Sequence, residues 1–220
     1  MANKTAKTVV ASLIIVGALG CLFFSLHEFG PDFDPKPHEA LGQVMAEEAA
    51  KLVESGGRVI VIARSTAIFR NPAADVQWQS FYRSIQKAKL IIAATNTFKI
   101  NPILLVRVPP GDFVEILRRA SESDVVVSFL GPPVLNAEQL GRLGEPRPKV
   151  LALCAGSMPS QINLKQLFQM RLLHVAIISR KNAALSSPPP TGPAGWFEQL
   201  YLVVTPANLA DLPSPATDRS

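Results

Sequence analysis

The residues with chemistry to offer gather at the carboxyl ends of apolar runs. Arg64-Ser65-Thr66 follows Val59-Ile60-Val61-Ile62, and Thr95-Asn96-Thr97 follows the run at 90–94. Gly131-Pro132-Pro133 follows 125–130, and Cys154-Ala155-Gly156-Ser157 follows 150–153. Hydroxyls, a carboxamide and glycine N–H groups can exchange hydrogen bonds with a small polar ligand. In an open α/β sheet the carboxyl ends of the strands are where ligands sit. The candidate ligand-binding set is therefore Ser65, Thr66, Asn96, Thr97, Gly131, Gly156 and Ser157.

Catalysis asks for more than polar loops. Cys154 stands at a strand end beside Gly156 and Ser157, but a thiol nucleophile needs a base, normally a histidine oriented by a third group. His174 precedes the apolar run 175–178, which puts it at the opposite edge of a parallel sheet from Cys154. The run Cys-Ala-Gly-Ser-Met also departs from the G-x-S-x-G nucleophile elbow. Cys154 is read as a buried, inert thiol. Asp112 with Glu115 and Glu122 with Asp124 are acidic pairs whose positions suit helix capping and solvated charge better than acid–base work. No catalytic residue is expected.

Metal and cofactor sites are not expected either. The two cysteines, Cys21 and Cys154, lie far apart, and the three histidines, His27, His38 and His174, are scattered, so no cluster has metal-ligand spacing. No G-x-G-x-x-G and no Walker-type lysine follows the first apolar run.

The elements that must position these residues alternate along the chain. Leu41, Val44, Met45, Ala49, Leu52 and Val53 recur at helical spacing, with Gly56-Gly57 as a stop and the strand 59–62 beyond. Trp78, Phe81, Tyr82 and Ile85 share a helical face after Asp75, a candidate cap, and their spacing reads as core. Phe113, Ile116, Leu117 and Ala120 share another after Asp112. Asn136 with Gln139 three residues on reads as a capping box, and Asn163 begins a last helix before 175–178. The run 201–205 could return as a sixth strand of either direction, after a proline-rich stretch, SSPPPTGPAG, read as irregular loop. Helix–strand alternation of this kind predicts a single doubly wound, mostly parallel, Rossmann-like (flavodoxin-like) α/β sheet with order 2-1-3-4-5 for the first five strands.

Ahead of this domain, residues 9–26 form eighteen uncharged residues, as a helix about 27 Å long and just enough to span a bilayer. Lys4 and Lys7 precede it while Glu28, Asp32 and Asp34 follow, so the positive-inside rule leaves residues 1–8 in the cytoplasm and the rest outside. Two alternatives stay open: a cleaved signal peptide, and a lipoprotein acylated at Cys21 of Ala18-Leu19-Gly20-Cys21. The expected plan is an anchor at 9–26, a proline-rich spacer at 27–38, a lobe at 39–205 and a tail at 206–220. The location implied is a bacterial-type inner membrane with the domain in the periplasm or outside the cell.

The formal charge of the chain is +5. Removing Lys4 and Lys7 from its 22 basic residues leaves 20 against 17 acidic ones, with no basic run interleaved with aromatics. Nucleic acid is not an expected partner.

The order helix, strand RVIVIA, the helix bearing QWQSFY, then SDVVVSFLGPP resembles one lobe of a type I periplasmic binding protein, of the sugar-binding and repressor-like superfamily. The resemblance covers residues 39–180. It implies a solute site between two hinged lobes, whereas the chain here suffices for one. Two functions follow as expectations. One is a non-catalytic, tethered accessory subunit that binds another protein of the envelope. The other is a tethered solute-binding or sensory domain that completes its cleft by self-association.

Overall fold

The computed structural model describes residues 16–18, 21, 33–65, 71–99, 107–156, 158–180 and 189–211. Two compact units divide the chain at Asp34 and Pro35. In the first, Val16, Gly17, Ala18 and Cys21 are helical and exposed. The expected anchor at 9–26 otherwise lies outside the described residues, among which no helix is long and apolar enough to cross a membrane.

The second unit carries six strands: β1 (Val59–Arg64), β2 (Ile92–Phe98), β3 (Val125–Ser128), β4 (Lys149–Cys154), β5 (Val175–Ser179) and β6 (Tyr201–Val204). They form one sheet in the order β2-β1-β3-β4-β5-β6, parallel except for β6, which runs antiparallel to β5. The helices are α1 (Lys36–Leu52), α2 (Pro72–Lys87), α3 (Pro110–Arg119), α4 (Ala137–Gly141), α5 (Met158–Gln161), α6 (Leu164–Gln169) and α7 (Gly192–Leu200), followed by a 3₁₀ turn at Leu209–Asp211. The expected doubly wound sheet and its strand order are both present.

Successive residues of a strand face opposite ways, and here that alternation divides the interior into two cores. Val59, Val61, Val125, Val127, Leu151 and Ile177 pack with Met45 of α1, Phe81 and Ile85 of α2, and Trp196 and Phe197 of α7. Ile60, Ile62, Val126, Val150, Ala152 and Ala176 pack on the other face with Phe113 and Leu117 of α3 and Leu167 and Phe168 of α6. Both faces of β1, β3, β4 and β5 are covered, which is why these strands read as continuous apolar runs.

Several boundaries differ from expectation. The spacer ends early: α1 starts at Lys36, with Pro37 in its first turn where the missing N–H costs nothing. Residues 90 and 91 are not strand, because Lys89 takes a left-handed conformation (φ 58°) and the Leu90 N–H closes the preceding helix on the Ile85 carbonyl. The strand instead runs on through Thr95-Asn96-Thr97, pairing with a longer β1. As an edge strand it is largely exposed, so polar residues are tolerated in it. The cap of α2 is Asn71, whose Oδ1 accepts from the Ala74 N–H at 3.1 Å, not Asp75. Within SSPPPTGPAG, residues from Gly192 on form the start of α7: Pro193 sits in the first turn, and Trp196 and Phe197 drive burial. Asp124 is no solvated charge, being 1% exposed.

That buried carboxylate ties the amino edge of β3 to β1. Its oxygens accept from the Arg58 N–H at 2.8 Å and the Ser121 N–H at 2.9 Å, with the Arg58 Nη2 at 3.4 Å. Burial alone would raise its pKa, but the two N–H groups and the guanidinium outweigh that and hold it below the ordinary 3.8. A depressed folded value means that the unfolded chain takes up the proton first. The stabilisation is therefore fully present above pH 3.8 and is lost as the pH falls through the lower folded value. Asp124→Asn should flatten the acid limb of stability measured by urea melts below about pH 4. Asp124→Ala, which leaves two N–H groups without an acceptor, should cost about 1–3 kcal/mol at neutral pH.

Packing of α1 on α2 is close enough to demand a glycine. A Cβ on Gly42 would collide with the Gln77 carbonyl oxygen and press on the Phe81 nitrogen, both backbone atoms. Gly42→Ala should lower the denaturation midpoint by about 1–3 kcal/mol equivalent, the usual cost of overpacking, despite the better helix propensity of alanine.

Candidate functional site

Crossovers leave the carboxyl ends of β1 and β3 in opposite directions. The chain after β1 enters α2, which packs on the same face as α1, whereas the chain after β3 enters α4, whose Leu140 packs on the other face. The divergence opens a cleft of about 530 Å³ above the sheet. Its floor is Ala63, Arg64 and Ser65 of β1 and its continuation, one side is Thr95 and Thr97 of β2, and the other is Phe129 and Leu130 after β3. The first two turns of α2, from Ala73 to Trp78, close the back, with Asn71 just ahead of them.

Of the candidate ligand residues, Ser65 and Thr97 line this cleft. Asn96 does not, because alternation along β2 turns it to the other face from Thr95 and Thr97, and its Nδ2 donates to the Val61 carbonyl at 3.4 Å. Gly131 serves a turn at φ 71° beneath the Met158 side chain, and its carbonyl accepts from the buried Ser128 hydroxyl at 2.9 Å. Gly156, at φ 63°, donates its N–H to Ser179 Oγ at 3.2 Å across the β4–β5 edge. Thr66 and Ser157 lie outside the described residues.

Sequence reasoning missed the aromatic lining. The face of α2 divides: Phe81 and Ile85 are buried in the core, Tyr82 is 43% exposed, and Trp78 packs its ring at the cleft. Trp78 meets Phe129 edge-on with centroids 6.4 Å apart, and Phe81 meets Phe129 at 5.3 Å. The signal lay in Phe129-Leu130, the residues just beyond the β3 ladder. Asp75, read as a cap, lines the cleft from the first turn of α2, and Gln77 lines it while its Nε2 stands 3.1 Å from His38 Nδ1 on α1.

Cys154 is buried at the end of β4 and forms no disulfide. Burial pushes its thiol up to about 12, against a smaller downward pull from the Arg107 guanidinium. His174 stands at the far edge of the sheet, where its Nδ1 accepts from the Val150 N–H at 3.1 Å. Burial lowers its pKa, helped by Lys149 and Arg171. Glu115 binds Arg142 at 2.6 Å and Arg118 at 3.2 Å, a surface ion-pair role. Among the described residues no group of three metal-ligating side chains converges.

No protein-family model and no curated protein matches the sequence. Solved structures do match. AraP, an arabinose binding protein from Geobacillus stearothermophilus, superposes with a TM-score of 0.51 at 15% identity, covering 80% of this chain and 63% of that one. An ABC transporter solute binding protein from Burkholderia graminis C4D1M, in complex with D-arabinose, gives a TM-score of 0.50 at 14% identity, covering 80% and 62%. The chain thus has a type I periplasmic binding protein-like fold. It spans less than two thirds of the length of each of these structures.

The thiol at Cys154 should be inert in the native protein. Alkylation of the folded chain at pH 8, mapped by peptide mass spectrometry, should leave Cys154 unmodified until denaturant is added, because a pKa of about 12 leaves about one thiolate in ten thousand.

Proposed function

We propose that the chain is a membrane-tethered, extracytoplasmic, non-catalytic domain that binds a small polar solute in the cleft between β1 and β3. The observation that carries this reading is the cleft itself. It lies at the point of divergence where doubly wound sheets hold ligands, and it joins an apolar wall, Trp78 and Phe129, to hydroxyls from Ser65, Thr95 and Thr97. An aromatic edge with converging hydroxyls suits a compact ligand bearing its own hydrogen-bonding groups, and the arabinose-binding proteins of similar fold make sugars the first solutes to try. The tether is supported by the eighteen uncharged residues at 9–26 and the charge asymmetry around them. The opposite wall of the cleft would come from a second copy.

A protein-binding accessory role is the second reading, favoured by the apolar side chains left in solvent at Ile91 (66% exposed) and Val134 (60%). The two readings separate on ligand stabilisation. A panel of monosaccharides, amino acids and small organic acids should contain a solute that raises the melting temperature of the full chain in detergent. Trp78→Ala should abolish at least nine tenths of that shift, read against the variant's own unliganded melt, which itself falls because Trp78 packs on Phe81 and Phe129. At a hundredfold excess over Kd the stabilisation amounts to about 2.7 kcal/mol. A panel without effect, together with a stable hetero-complex, would leave the accessory reading standing instead.

A further inference from the structure

On the side where its aromatic residues stand, the cleft carries one full charge, and that charge is negative. Arg64 contributes to the floor through its backbone: it pairs with Phe98 at the end of β2, and strand alternation turns its side chain to the face of Ile60 and Ile62. Asp75 and Trp78 lie three residues apart on α2, which makes them neighbours on one helix face, and both line the cavity. The polar groups that face them are neutral, hydroxyls from Ser65, Thr95 and Thr97 and the Gln77 carboxamide. Asp75 enters no ion pair among the described residues, whereas Glu39, Glu54, Glu115 and Asp124 each meet an arginine or a lysine.

A ligand that fills the cleft takes the Asp75 carboxylate out of water. An ion desolvated without a counter-charge is costly, and the chain supplies no cation on this side, so the ligand has to bring one. Trp78 favours the same choice, because the face of an indole ring attracts a cation held within about 6 Å of its centroid.

On the basis of the solute-binding reading, we propose that the cleft takes a small organic cation, an ammonium with an apolar body, its charge seated between the Asp75 carboxylate and the Trp78 ring and its body against Phe129. Side chains one helical turn apart have Cβ atoms about 5–6 Å apart, so a single ammonium reaches both. The hydroxyls of Thr95 and Thr97 offer acceptors to its remaining N–H groups. A neutral polyol would strip water from the carboxylate without replacing the lost charge interaction, and an anion would be repelled by it. A volume of about 530 Å³ accommodates an arylalkylamine with water to spare.

The test is calorimetric titration of the full chain, in an uncharged detergent, with four probes. They are phenethylamine, 2-phenylethanol, in which a hydroxyl replaces the ammonium, 3-phenylpropanoate, in which a carboxylate replaces it, and D-arabinose. Phenethylamine is expected to bind about tenfold more tightly than 2-phenylethanol, with 3-phenylpropanoate weaker than either. Asp75→Asn, nearly unchanged in shape, should weaken phenethylamine about tenfold and bring it level with the alcohol, whose own affinity stays within about twofold. A cooperative melt of the unliganded variant reports that it is folded. Equal affinity for amine and alcohol in the parent chain, or an amine affinity that Asp75→Asn leaves unchanged, would overturn the cation. Binding of D-arabinose without phenethylamine would overturn it too, while the solute-binding reading stands. Silence from all four probes overturns the cation, and the solute-binding reading falls with it only if the wider solute panel is silent as well.

Discussion

A parallel sheet covered on both faces has one place where its own connections cannot fill the space above it, and that is where successive crossovers part company. Here the parting falls between β1 and β3. The strand order requires it: β2 lies on one side of β1 and β3 on the other, reached through helices on opposite faces. Everything proposed about ligand binding depends on that divergence, because it brings Ser65, Thr95, Thr97, Trp78 and Phe129 around one void although they lie on four separate segments of chain.

The two edges of the sheet have different characters. At the amino edge Asp124 gathers Arg58 and Ser121, and His174 is held on the Val150 N–H, so polar groups there are consumed by structure. At the carboxyl edge the Arg64 Nε is buried without a hydrogen-bond partner. The helix that forms the back of the cleft, α2, is itself held by α1 through the close approach at Gly42 and the Ser80 hydroxyl on the Glu39 carbonyl at 2.7 Å. The back wall of the cleft is thereby fixed to the first helix after the spacer.

Much of this was legible in the residues. The Asn136–Gln139 capping box forms as its spacing implied, Asn163 caps α6 through its side chain, and the buried β-branched runs are the central strands. Those signals are local or follow from burial on both faces. What was not legible depended on tertiary context. An edge strand needs no apolar pattern, so Thr95-Asn96-Thr97 looked like a loop. Proline in a first turn is compatible with a helix, so α1 and α7 began inside segments that composition marked as irregular. Trp78 has the spacing of its core neighbour Phe81, and only the opening between β1 and β3 puts its ring at the cleft while Phe81 is sealed. Side-chain alternation on β2, which depends on where the strand begins and ends, decided that Thr97 and not Asn96 lines the cavity.

The most direct measurement is native mass spectrometry of the full-length chain, extracted gently from its own membranes, since it reads mature mass, stoichiometry and bound species together. A retained small-molecule adduct is expected on the chain or its dimer, released on collisional activation and missing when Trp78 is replaced by alanine. A protein that appears without any adduct, seated in a stable hetero-complex, would contradict it.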